Sequence, residues 1–125
     1  MDIFNDESRL KSRVNRKAAR VMIGRQLGND IKLKTVSFSG VKTIGLFYLR
    51  ENTSCRVDVD FEILSGRSKV ILVRKDTIAD IAINSCKEAR IFKLERGFNR
   101  IRIVGEAADI KLSLMLTKGV TYLDE

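Results

Sequence analysis

Hydrophobic positions change period once along the chain. In residues 5–27, Leu10, Val14, Ala18, Val21 and Met22 share one arc of a helical wheel, the spacing of a surface helix packed by one face. Asn5 supplies a cap, Asp6 and Glu7 stand at the positive end of the dipole, and Arg25 lies near the negative end. Gly28 is the natural stop, with Gly24 offering one a turn earlier. From Ile31 onward the period becomes two. Residues 31–34 and 43–49 open a series of strands, and residues 55–63 are the clearest. There Cys55, Val57, Val59, Phe61 and Ile63 face one way, while Arg56, Asp58, Asp60 and Glu62 face the other. Ser65-Gly66 then supplies turn chemistry before the apolar residues 70–73, so residues 54–74 read as a hairpin. Further strands are expected at 78–83, 89–94, 98–104 and 110–116, with a last one at 120–123.

Eight or nine short strands with no helices between them predict a mainly β protein. The expected architecture is an antiparallel β-sandwich preceded by one N-terminal amphipathic basic helix. Residues 1–30 form the helix and its connection and residues 31–125 the sandwich, together one compact unit. Several strands are apolar on both faces: residues 45–49, 70–73 and 112–116. An antiparallel sheet normally leaves one face to water, so these runs predict a covered outer face. The helix would cover part, and a second copy of the chain the rest.

Composition narrows the chemistry. The 125 residues are 44% hydrophobic and 32% charged, an ordinary globular balance that supports one domain. No His is present, which removes the commonest general base and metal ligand. Neither a Gly-rich phosphate loop nor a dinucleotide fingerprint appears, so no catalytic activity, cofactor or metal is expected. Cys55 and Cys86 are too few for a disulfide scaffold and too far apart for a close-spaced metal motif; a bridge between them stays open. Cys55 lies on an apolar strand face and reads as core, whereas Cys86 reads as a loop thiol acidified by Lys87. The acidic opening at residues 1–7 precedes no apolar signal core, and no stretch approaches the ~20 apolar residues of a membrane span. The expected location is the cytoplasm, without membrane insertion; a virion, or release by lysis, also fits.

Residues 92–103 read as a strand, a tight turn with Gly97 at positive φ, and a return strand carrying Asn99, Ile101 and Ile103. Together with residues 59–63 before Ser65-Gly66, this pattern over about residues 43–116 resembles the galactose-binding-like and carbohydrate-binding-module jelly rolls. The resemblance implies a jelly-roll sandwich and a glycan as possible ligand. Such modules usually hold sugars on exposed aromatic platforms. Here Trp is absent, and Phe47, Phe61, Phe92 and Phe98 read as core.

Charge supplies the remaining candidates. The net charge is +8, and from Ser8 to Leu27 there are seven basic residues and no acid. On a helix, Arg9, Arg13, Arg16 and Arg20 would form one stripe about 16 Å long, suited to phosphates, nucleic acid or an acidic protein. The plain alternative is a solvated face. Asp58, Asp60 and Glu62 share a strand face, a row that suits glycoside hydrolysis if it lines a cleft, calcium binding, or a ligand or interface contact. The plain alternative is a solvated row paired with Lys69 or Arg74 across the hairpin. Tyr48, one position out of phase with Phe47, is expected on the outer face as a stacking or interface residue. These features favour a non-catalytic binding or assembly module, homo-oligomeric, of a structural, phage-like or carbohydrate-binding kind. Polyanion or nucleic-acid binding through the arginines is the alternative, and a carboxylate-based hydrolase a remote third.

Overall fold

The computed structural model describes residues 10–11, 16–74 and 77–118. Seven strands make up almost all of it: β1 (Arg16–Ala18), β2 (Val21–Leu27), β3 (Asp30–Leu49), β4 (Thr53–Arg74), β5 (Thr77–Ala82), β6 (Cys86–Leu94) and β7 (Gly97–Lys118). Every pairing is antiparallel. β7 lies between β3 and β4 along its whole length. The outer edge of β3 carries β2 and then β1, and that of β4 carries β6 and then β5.

The three long strands fold the sheet into two layers. Ile31 and Gly45 belong to the same strand, yet a Cβ on Gly45 would fall 2.5 Å from Ile31 Cδ1. Fourteen residues of straight strand would hold them roughly 46 Å apart. β3 therefore doubles back, and its neighbours turn with it. Register shifts mark the corner at residues 35–40 in β3 and 63–67 in β4. Positive φ values at Ser37 (54°), Gly40 (125°), Gly66 (75°) and Ala107 (47°) supply the sharp bends. Hydrogen bonds pin them: Ser37 N–H to Asp109 Oδ1 (2.7 Å), Ala107 N–H to Ser39 Oγ (3.0 Å), Thr35 Oγ1 to the Ala108 carbonyl (3.0 Å) and Ser68 Oγ to the Val104 carbonyl (2.7 Å).

The first layer is ordered β2, residues 30–36, residues 108–118, residues 53–63, β6; the second is β1, residues 39–49, residues 97–105, residues 67–74, β5. Numbering the eight limbs from residue 30 onward gives 1-8-3-6 and 2-7-4-5, the strand order of a jelly roll. Their inner faces share one core in which Ile31, Val59, Phe61 and Leu114 meet Phe47, Leu72, Ile101 and Ile103.

Several expectations are corrected. Residues 16–18 and 21–27 are strands and not helix: paired with β3, they exchange with it the backbone hydrogen bonds that a helix would keep to itself. Of the expected helix, Leu10 and Lys11 are helical and the rest of residues 5–15 lie outside the described residues. The hairpin at 54–74 is one continuous strand, because Gly66 bends β4 where a hairpin turn was expected. The pairs 31–34 with 43–49, and 98–104 with 110–116, fuse in the same way, so seven strands stand where eight or nine were expected. β6 and β7 do not pair with each other: the Gly97 corner (φ 99°) carries the chain from one layer to the other. Asn99, fully buried, closes that corner through Nδ2 to the Glu95 carbonyl (2.8 Å) and through Oδ1 from the Glu95 N–H (3.2 Å). The strand expected at 120–123 lies outside the described residues.

The doubly apolar run at residues 70–73 is explained. Val70 and Leu72 enter the core, while Ile71 and Val73 lie on the outer face beneath Leu10, with Val41 and Val104. Arg102, wholly buried in this second cluster, donates from Nη1 to the Leu10 carbonyl (2.8 Å), and Arg100 Nη2 donates to the Lys11 carbonyl (2.8 Å). Among the described residues no helix is long and apolar enough to cross a membrane.

Candidate functional site

Two outward surfaces gather the candidate residues. The outer face of the first layer holds a shallow depression of about 450 Å³. Strand alternation turns Lys32 and Lys34 outward while Ile31 and Leu33 enter the core. The same alternation on β4 and β7 brings Asp60, Glu62, Lys111 and Ser113 to this face, and Arg25 and Ile23 reach it from β2. In register, Arg25 stands opposite Lys32, Lys34 opposite Lys111, and Lys111 opposite Glu62. Cations thus crowd one side of the depression and carboxylates line the other.

Asp58 lies one step further along β4 and takes Arg56 Nε (3.2 Å) and Nη2 (3.1 Å) on Oδ1, so it is engaged within its own strand. Of the expected acidic row, Asp60 and Glu62 therefore line the depression. Lys69 and Arg74 do not face that row, because the expected hairpin is absent. Lys69 Nζ lies 4.0 Å from Asp80, and Arg74 Nη1 donates to the Lys93 carbonyl. Both carboxylates of the depression sit two residues apart on one strand. They can accept from hydroxyl or ammonium donors, with a strong positive field beside them.

The second surface is on the outer face of the other layer. Tyr48 is 64% exposed and Phe98, its register partner on β7, is 59% exposed, with ring centroids 5.0 Å apart in an edge-to-face arrangement. Tyr48 stands where alternation with Phe47 put it. Phe98 was expected in the core and is corrected to the surface: the Gly97 corner sets the phase of β7, turning Asn99 and Ile101 inward and Phe98 out. Leu46, 49% exposed, continues the patch. At the edge of β3, the Gln26 side chain plays the part of a neighbouring strand: Oε1 accepts from the Leu46 N–H (3.0 Å) and Nε2 donates to the Leu46 carbonyl (3.2 Å).

The expected arginine stripe is not a helical stripe. Arg16 belongs to β1, Arg20 is an exposed residue in the bend before β2, and Arg9 and Arg13 lie outside the described residues. Cys55 and Cys86 are free thiols. Cys86 opens β6 and is half-buried, so burial first and Glu88 second push its thiol above the usual range, opposite to the expected acidification by Lys87. Among the described residues, no group of three or more Cys, Asp or Glu side chains is placed to hold a metal.

Sequence reasoning missed Arg25, Lys32, Lys34, Lys111, Gln26 and Phe98. The alternation of Lys32 and Lys34 is a visible signal; Arg25 falls in the residues whose spacing predicts a helix, and Lys111 joins them only through strand pairing.

No protein-family model matches the chain, and no curated protein matches it. Among solved structures, the chain is similar to the CENP-C cumin domain of Drosophila melanogaster, at 13% identity and a TM-score of 0.32, over 78% of this chain and 72% of that one. It is also similar to a family two carbohydrate esterase from Cellvibrio japonicus, at 13% identity and a TM-score of 0.35, over 88% of this chain and 35% of that one.

Proposed function

We propose that the chain is a non-catalytic binding and assembly module that self-associates through the apolar patch of Leu46, Tyr48 and Phe98. The observation that carries this reading is the exposed edge-to-face pair of Tyr48 and Phe98, 64% and 59% accessible with ring centroids 5.0 Å apart. Leu46, 49% exposed, extends the same surface, and contiguous apolar area of this kind marks a contact with another protein surface. A patch that meets its own copy about a two-fold axis gives a closed dimer and not a fibre. Sedimentation equilibrium at tens of micromolar is expected to show a dimer or a larger closed species. The Leu46→Lys/Tyr48→Lys variant should then be monomeric with an unchanged β circular dichroism spectrum. A wild-type protein that sediments as a monomer overturns the proposal. Polyanion binding through Arg9, Arg13, Arg16 and Arg20 is a separate reading, supported by the exposure of Arg20.

A further inference from the structure

We infer that the depression on the outer face of the first layer is a binding site for a small sugar ester bearing two phosphate or sulfate groups. This inference does not depend on self-association. Two adjacent rungs of the ladder place like charges directly opposite each other, Arg25 against Lys32 and Lys34 against Lys111. Cross-strand neighbours of this kind stand about 5 Å apart, and like charges there destabilise a sheet. Among the described residues, none of these four side chains is in an ion pair or a side-chain hydrogen bond. Asp60 and Glu62 share the depression, Glu62 directly opposite Lys111, so four cations stand against two carboxylates and the field stays positive. A ligand with one anionic group on each rung relieves both repulsions at once.

The spacing defines the ligand. Lys32 and Lys34 lie two residues apart on one face, so the rungs are separated by about 6.8 Å. Each rung takes one phosphate or sulfate, and a ligand spanning both carries two. Asp60 and Glu62 on the neighbouring strand line the other side of the depression. They repel a continuous polyanion but accept hydrogen bonds from hydroxyls, which fits the carbon skeleton of a sugar. No aromatic side chain lines the depression, so nothing there stacks a nucleobase. A volume of about 450 Å³ suits a ligand of this size.

The test is calorimetric titration of the full chain at low ionic strength with fructose 1,6-bisphosphate, its bis-sulfate analogue, unsubstituted fructose, pyrophosphate and a twelve-nucleotide single-stranded DNA. One or both sugar diesters should bind, and which of them binds identifies the anion. Fructose alone should not. Lys34→Gln/Lys111→Gln should weaken the bound diester at least tenfold with an unchanged β circular dichroism spectrum; a merely misfolded variant would lose that spectrum. Asp60→Asn/Glu62→Gln should weaken the diester severalfold and leave pyrophosphate binding unchanged or tighter. Reversing Arg9, Arg13, Arg16 and Arg20 to Glu should leave the diester affinity within a factor of about three, which separates this site from the N-terminal arginines. The inference is overturned if neither diester binds below millimolar concentration. It is equally overturned if the Lys34/Lys111 variant binds as the wild type does. None of these outcomes bears on the oligomeric state.

Discussion

Two residues show how local conformation and burial set the energetics. Gly66 bends β4 at φ 75°, and a Cβ there would lie 2.1 Å from the Ala107 carbonyl oxygen. Backbone cannot retreat from that contact as a flexible side chain would. Gly66→Ala is therefore expected to cost about 3 kcal/mol or to prevent folding, read by urea denaturation. Arg102 is the largest fully buried side chain among the described residues, and burial first, with Arg100 second, lowers its pKa from the usual guanidinium range to about 10. A cation whose folded pKa lies below its unfolded value opposes folding while it is charged. Its contribution thus improves as pH rises above about 10, and the penalty is complete well below that pH. Urea midpoints of the wild type and Arg102→Met, compared between pH 9 and pH 11.5, should shift in favour of the wild type at the alkaline end. A constant difference would contradict this.

At the scale of elements, the decisive feature is that strands turn corners without ending. Ser65-Gly66 carries the composition of a hairpin turn, yet its two flanks both pair with β7 and not with each other. Turn-forming residues announce a change of direction; whether the chain reverses or bends depends on which neighbour offers hydrogen bonds beyond it. The same holds for β2. Its apolar residues fit a helical arc, but β3 offers a long ladder along its edge, and tertiary hydrogen bonding overrides the local preference. Gln26 belongs to this scale as well, because it finishes an edge that β2 does not reach. Gln26→Ala removes two hydrogen bonds to Leu46 and should lower stability by about 1–2 kcal/mol. Urea denaturation reads this loss, and an unchanged midpoint would contradict it.

For the whole molecule, the two outward faces divide the work. One carries Leu46, Tyr48 and Phe98 beside a strand edge, the surface assigned to self-association. The other carries the cation rungs and the carboxylates, the surface assigned to a ligand. A dimer formed through that patch as proposed would leave the ligand-binding face of each copy open, so ligand affinity per chain should be the same in the dimer and in the Leu46→Lys/Tyr48→Lys variant. Leu10 and Lys11 are held on the second layer by Arg102 and Arg100, which accounts for the doubly apolar run at residues 70–73 without a second copy. Tyr48 and the outward side of the acidic row were legible from alternation alone. The depression was not, because its cations come from β2, β3 and β7.

The sequence by itself determined that the chain from Ile31 onward would be mainly extended and which residues of 55–63 face inward. These follow from a period of two and from composition, both of which are local. Tertiary structure alone decided that the long strands bend at Ser37, Gly66 and Ala107, that Phe98 faces water, and that Arg25, Lys32, Lys34 and Lys111 share one surface. Register is set by which strands exchange hydrogen bonds, and partners more than seventy residues apart leave no trace in any short window of sequence.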